Sequence, residues 1–87
     1  MSRYRVELTA SAARALRKVD AGHRDRLRGA IALLGEEPRP PGARALVGQP
    51  GLRVRVGDYR ILYRIEGDVL LVVVVALGHR RDVYGGH

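Results

Sequence analysis

The stretch Leu52-Arg53-Val54-Arg55-Val56-Gly57-Asp58-Tyr59-Arg60-Ile61-Leu62-Tyr63-Arg64-Ile65-Glu66 decides the fold. Apolar and basic residues alternate on both sides of Gly57-Asp58, which is the period of a strand and not of a helix. Glycine at the first position of a two-residue connection fits a type II′ hairpin turn. Such a turn sets the register: Val56 opposite Tyr59, Arg55 opposite Arg60, Val54 opposite Ile61, and Arg53 opposite Leu62. One face then carries Val54, Val56, Tyr59, Ile61, Tyr63 and Ile65; the other carries Arg53, Arg55, Arg60, Leu62 and Arg64. The first is a surface for helices to cover. The second is basic.

Working outward, Glu66-Gly67-Asp68 turns into the apolar run Val69 to Leu77, nine residues long. That is too short to span a bilayer as a helix. A strand apolar on both faces belongs in the middle of a sheet. Upstream, Tyr4 to Leu8 alternates as a first strand. Thr9 or Ser11 can cap a helix with Ala12, Ala13, Leu16 and Val19 at helical spacing. Asp20 can cap a second helix whose stripe is Leu27, Ala30, Ile31 and Leu34, ended by Gly35. Arg24, Arg26 and Arg28 fall off that stripe and read as a solvated helix face. Glu36 to Gly51 is punctuated by proline and glycine and reads as loop, with a short edge strand near Arg44 to Val47. The expectation is one α+β domain over residues 1–87, ordered β-α-α-β-β-β. Its twisted antiparallel sheet carries the two N-terminal helices on one face.

The chain of 87 residues has 16 basic and 9 acidic side chains, a net charge of +7, and 15 of the basic ones are arginine. The guanidinium fork suits bidentate phosphate binding, so a polyanion or an acidic protein is the expected partner. Arginine with abundant alanine, glycine and valine is also what a GC-rich genome produces, so position has to decide. Like charges directly opposed across strands destabilise a sheet. Arg55 facing Arg60, with Arg53 and Arg64 nearby, therefore needs screening or an anion. An ordinary solvated face would mix acids with bases, and here only Glu66 supplies an acid.

Other chemistries are excluded or poorly supplied. With no cysteine, disulfides, thiolate metal sites and cysteine nucleophiles are all ruled out. A secreted domain of this size would want such staples, and Met1 to Arg5 leads into alternating residues and not into a signal peptide; a cytoplasmic location is expected. His23, His79 and His87 show no metal-ligand spacing. Ser2 and Ser11 sit in no nucleophile-type turn, and there is neither a paired carboxylate in an apolar setting nor a glycine-rich phosphate loop. A metal-free reaction on RNA remains, because RNA brings its own nucleophile in the 2′-hydroxyl. The protein then positions the phosphate, neutralises charge in the transition state and moves two protons.

Past the central strand, Gly78-His79-Arg80-Arg81-Asp82-Val83-Tyr84 adds groups for that work. Histidine moves protons near neutral pH; tyrosine stacks on a base or exchanges a proton. Singly, His79 could equally cap a strand and Tyr84 pack its ring on the sheet. Beside the arginine face the functional reading is the stronger account.

Together, "RVGDYR" at residues 55–60 and "GHRRDVY" at 78–84 resemble the RelE/ParE superfamily of bacterial toxins, the RelE branch more than the ParE branch. The likeness covers nearly the whole chain. It implies a fold like that of small microbial ribonucleases. It also implies the toxin of a type II toxin–antitoxin pair that enters the ribosomal A site, cleaves mRNA through 2′-hydroxyl attack and inhibits translation. Matched by position, Arg60, Arg80, Tyr84 and His79 are the expected catalytic residues, His79 standing where some members have another basic residue. Arg53 and Arg55 match the positions that grip the mRNA backbone, and Arg64 and Arg81 complete the expected RNA-binding set. The expected partners are the ribosome, mRNA and an acidic antitoxin encoded nearby. No metal, small-molecule cofactor or membrane enters this expectation. The chain departs from the pattern in using arginine for lysine on the strand and in having only three residues after Tyr84, so a longer C-terminal helix is not expected. Arg55, His79 and Tyr84 all remain candidates for the general base. The rival reading is a ParE-like toxin that binds and inhibits DNA gyrase without nuclease activity; a third is a degenerate toxin kept as corepressor. Tyr84 together with Arg80 favours cleavage.

Overall fold

The computed structural model describes residues 3–79. The chain runs β1 (Arg5–Leu8), α1 (Ala10–Lys18), α2 (Ala21–Glu36), β2 (Arg44–Ala45), β3 (Leu52–Val56), β4 (Tyr59–Glu66) and β5 (Leu71–His79). β3 and β4 pair in the predicted register, Arg55 opposite Arg60 and Arg53 opposite Leu62. Gly57 takes φ +60° while Asp58 does not enter positive φ, the type II′ pattern whose twist matches that of the strands. The sheet order is β1-β5-β4-β3-β2, so the apolar β5 is paired on both edges, as its composition requires.

Two features differ from expectation. The sheet is mixed, because β1 joins β5 in parallel, Arg5 opposite Leu71 through Leu8 opposite Val74. Alternation in a sequence fixes which face a residue occupies, not which neighbour its strand takes. Two helices returning across one face supply the long crossover that parallel pairing needs. The backbone N–H groups of Arg5 and Thr9 complete the seam by donating to Leu70 O (2.9 Å) and Val74 O (3.0 Å). Second, the apolar run does not enter the strand at Val69. Gly67–Val69 forms a single 3₁₀ turn, Leu70 sits at φ +51°, and the strand begins at Leu71.

A β-bulge interrupts the β4–β5 ladder: Leu62 faces Ala76 but Tyr63 faces Val74, leaving Val75 as the extra residue. The Val75 carbonyl accepts from the Thr9 hydroxyl at 3.1 Å. The same Thr9 oxygen caps α1 by accepting from Ala12 N at 3.1 Å, the role expected of a threonine at that position. One side chain thus ties the start of the helical layer to the bulge.

The helices cover one face. Ala12, Leu16, Val19, Leu27, Ile31 and Leu34 pack against Leu52, Ile61, Tyr63, Val72, Val74 and Leu77. At about 1.5–3 kcal/mol for each fully buried large apolar side chain, this layer is the main stabilising term. α2 runs one residue past Gly35, whose carbonyl accepts from Tyr4 N at 2.8 Å. Asp20 stands at the N-cap position of α2, but its carboxylate Oδ1 hydrogen-bonds with His23 Nδ1 at 2.6 Å and not with a helix N–H. Arg24 is not merely solvated: its Nη1 donates to the Arg17 carbonyl at 3.2 Å, satisfying a helix end that would otherwise lack a donor.

Candidate nucleic-acid interface

The face of the sheet away from the helices is polarised along the strands. At the end beside the Gly57-Asp58 turn, the register sets Arg55 opposite Arg60 and Arg44 opposite Arg53. These four arginines and Gly42 line a shallow depression of about 310 Å³. At the other end basic and acidic residues alternate and neutralise each other. Arg64 Nε lies 2.8 Å from Glu66 Oε2, and Arg5 Nε lies 3.2 Å from Glu7 Oε2. The opposed arginines are therefore confined to one basin, where a bound anion would offset their repulsion.

Local structure aims these side chains. Arg55 Nε donates to the Gly57 carbonyl at 3.2 Å, one of the five N–H groups of its guanidinium, so the hairpin turn orients the arginine next to it. Arg60 Nε is shut off from solvent, so the stem of this side chain is held down in the sheet. Gly57 suits this turn because its φ of +60° is a backbone conformation that residues with a side chain rarely adopt. A larger groove of about 560 Å³ between the end of α2 and the β4–β5 turn is chemically different. It sets Glu36 and Glu37 beside Arg3 and Arg39, a mixed lining unsuited to a polyanion.

Of the residues expected from sequence, Arg53, Arg55 and Arg60 come together in the basin. Arg64 shares their face but is engaged with Glu66. His79 is the one that the structure moves. It pairs with Tyr59 and so lies on the helix side, its ring 5.9 Å from that of Tyr59, which in turn lies 5.4 Å from His23. The bulge is the cause. One extra residue in β5 reverses the alternation beyond it, so a histidine that simple counting from Val72 would put with the arginines faces α1 and α2. Arg80, Arg81 and Tyr84 lie outside the described residues. Arg44 is the residue that sequence reading missed as a ligand group; the only signal was the suggestion of an edge strand at its position.

Two ionisable groups near this framework are shifted. The hydrogen bond with His23 holds the Asp20 carboxyl below its ordinary value, opposed by desolvation. Burial raises the Tyr63 phenol above its ordinary value, opposed by the charge of Arg39; its hydroxyl donates to the Pro38 carbonyl at 2.7 Å. Both lie away from the basin and belong to the framework.

Comparison with known proteins agrees with this geometry. Residues 6–84 match the family model described as the ParE toxin of the type II toxin–antitoxin system parDE. Among solved structures, the chain resembles that of the toxin–antitoxin complex RelBE2 from Mycobacterium tuberculosis. It does so with TM-score 0.81 and 30% identity over 94% of this chain and 97% of that one. The archaeal RelE–RelB complex from Pyrococcus horikoshii gives TM-score 0.76 and 25% identity over 90% and 96%. The intact RelBE complex of E. coli shows the same fold, with TM-score 0.77 and 23% identity over 87% and 95%. No curated protein sequence matches. The family model carries the ParE name and these structures are RelE complexes, and both lead to one statement: the chain belongs to the RelE/ParE superfamily and is a toxin of a type II toxin–antitoxin system.

Proposed function

We propose that this toxin is a metal-independent, ribosome-dependent endoribonuclease that cuts mRNA in the ribosomal A site and so stops translation. The observation that carries the reading is the basin of Arg44, Arg53, Arg55 and Arg60, placed on the open face of a sheet whose other acids and bases neutralise each other. In the reaction the RNA 2′-hydroxyl loses its proton and attacks the adjacent phosphorus, the bond to the 5′-oxygen breaks, and that oxygen takes a proton. Arg55 and Arg60 supply fixed positive charge where the pentavalent phosphorane gains negative charge, which is where preorganised charge lowers a barrier most. Arg55 stays protonated at any accessible pH, and His79 faces the helices. Tyr84 is therefore the group assigned to proton transfer or base stacking, and Arg80 a second charge on the phosphorane. The partner that silences the toxin is an acidic antitoxin segment, encoded nearby, that folds across the basic and apolar surfaces. Antitoxin-bound relatives support it, and the cytoplasm is the corresponding compartment.

Toeprinting on translating ribosomes tests the reading, with wild type beside Arg60→Ala and Tyr84→Phe. Cuts within the A-site codon are expected from wild type, slowed about 100-fold or more in Arg60→Ala, the scale on which loss of one transition-state donor acts. Intact mRNA from a folded, growth-inhibiting wild type would overturn it. The ParE name of the family model favours gyrase inhibition as the second reading, and gyrase cleavage complexes would then be the result.

A further inference from the structure

We propose that Thr9 is a positioning residue for the RNA site: its hydroxyl locks the bulge of β5, and the bulge decides which residues of that strand stand beside Arg60 and Tyr59. The bulged residue, Val75, has no partner on β4. Nor does β1 reach it, since the β1–β5 ladder ends at Leu8 opposite Val74. The Thr9 hydroxyl donates to the Val75 carbonyl at 3.1 Å and so carries the β1–β5 seam one residue further. The same oxygen accepts from Ala12 N at 3.1 Å. One oxygen that donates in one direction and accepts in the other is a hydroxyl. A carboxylate in its place would cap α1 at least as well and give Val75 nothing.

The register beyond the bulge matters because it reaches the arginines. Leu77 is opposite Ile61, Gly78 opposite Arg60 and His79 opposite Tyr59. The row across the open face is therefore Arg55, Arg60 and Gly78, and the direct partner of Arg60 on β5 brings no side chain against it. Counted onward from Val74 opposite Tyr63 without a bulge, Arg60 would face Leu77 and Tyr59 would face Gly78. A slip of one residue turns every side chain to the other face. Leu77, 5% exposed in the core, would come out beside Arg60, and His79 would leave Tyr59. Burial of Leu77 opposes that slip from the core, and Thr9 opposes it at the bulge itself. The chain continues from His79 into Arg80 and on to Tyr84, the groups assigned above to the phosphorane and to proton transfer, so a slip also moves their point of attachment. Re-aiming side chains beside a site is a recurrent use of bulges. The effect on cleavage rests on the nuclease reading; the contact of the His79 ring with that of Tyr59, centroids 5.9 Å apart, reports the register independently of it.

The test compares wild type with Thr9→Ser and Thr9→Asp in the full chain. Two readouts are taken on each: nuclear Overhauser contacts between the His79 and Tyr59 rings, and kcat and KM for cleavage of mRNA on programmed ribosomes. Thr9→Ser keeps the hydroxyl and should match wild type in both. Thr9→Asp keeps the cap and lacks the donor, so it should lose the ring contact. Its kcat should fall about ten-fold or more with KM within about two-fold of wild type, since small misplacements act on that scale while the binding arginines of β2 and β3 stay in place. A role in capping alone predicts Thr9→Asp like wild type in both readouts, and that result would overturn the lock. So would slowed cleavage with the ring contact intact, or a lost contact with unchanged cleavage. If wild type leaves mRNA intact the nuclease reading fails, and the ring contact still decides whether Thr9 sets the register. Should Thr9→Asp not fold, deletion of Val75 supplies the second measurement. It removes the residue that the hydroxyl holds while leaving Gly78 to face Arg60 and His79 to face Tyr59 in a regular ladder. Thr9→Val should then break the ring contact in the full chain and spare it in the deletion background, a difference that only coupling between the two positions produces. Equal effects in the two backgrounds would overturn the proposal.

Discussion

Arg55 illustrates how a residue can serve function against stability. It faces Arg60 in the ladder, where a like charge directly opposed is unfavourable by a few tenths to about 1 kcal/mol. Arg55→Glu converts that pair to an opposite-charge one. It is expected to raise stability by about 0.5–1 kcal/mol at low salt while abolishing RNA binding, as read by thermal melts and a filter-binding assay on the same preparation. A variant that loses stability as well as binding would show that the opposed arginines are not repelling each other. Tyr63 is the opposite kind of residue, fully buried with its hydroxyl on the Pro38 carbonyl. Tyr63→Phe removes that donor and should destabilise by about 1 kcal/mol without touching RNA affinity. The variant also has a pH signature. The phenol is raised from 10.0 in the folded state, so wild-type stability is full below pH 10 and falls as pH climbs from 10 through the raised value. Denaturant titrations should show Tyr63→Phe lacking that part of the alkaline loss.

At the scale of elements, what the sequence made legible depended on whether a local rule had a single solution. Gly57-Asp58 allows one two-residue turn, so the β3–β4 register and the arginine face followed from the residues alone. The β2 strand could not be placed in the same way. Glycines at positive φ, Gly42, Gly48 and Gly51, leave its loop free to approach β3 in many registers, which hid the pairing of Arg44 with Arg53. His79 was read as lying past the central strand, but it is the last residue of β5, and its face cannot be counted across a bulge that five apolar residues in a row, Leu71 to Val75, give no sign of. The nine-residue apolar run likewise concealed a turn, because Val69 and Leu70 look no different from strand residues. Arg80, Arg81 and Tyr84, outside the described residues, are read from their chemistry and the resemblance. The loop that positions Arg44 can be tested directly. Gly51 has φ +120°, and a Cβ there would lie 2.9 Å from the Tyr63 carbonyl oxygen, a backbone atom of β4 that cannot swing aside. Gly51→Ala should destabilise by about 2–3 kcal/mol, lowering Tm by about 10 °C or more in a domain of this size. RNA affinity should fall with it as Arg44 moves away from Arg53. A melt within a degree or two of wild type would mean that the β2 loop is not held as described.

For the whole molecule, the question is whether a net charge of +7 attracts RNA as a diffuse field or through the basin. A field of that sign raises encounter rates wherever it is distributed, and arginines on the helices contribute to it as much as those on the sheet. Phosphates held in the basin leave a different trace, because each one neutralised releases its counterions and adds about −0.7 to the slope of log K against log salt for a single strand. Each phosphate held in the basin contributes about −0.7 to the wild-type slope, on top of whatever other contacts supply. The paired substitution Arg44→Gln with Arg53→Gln removes one phosphate contact and should make the slope shallower by about 0.7. Arg14→Gln, with Arg28→Gln on the second helix, removes the same formal charge from the helical layer and should leave the slope as it was. Equal changes from the two double variants would mean that net charge alone draws RNA to this toxin, and the arginine pairs of the sheet would then be a surface without a ligand.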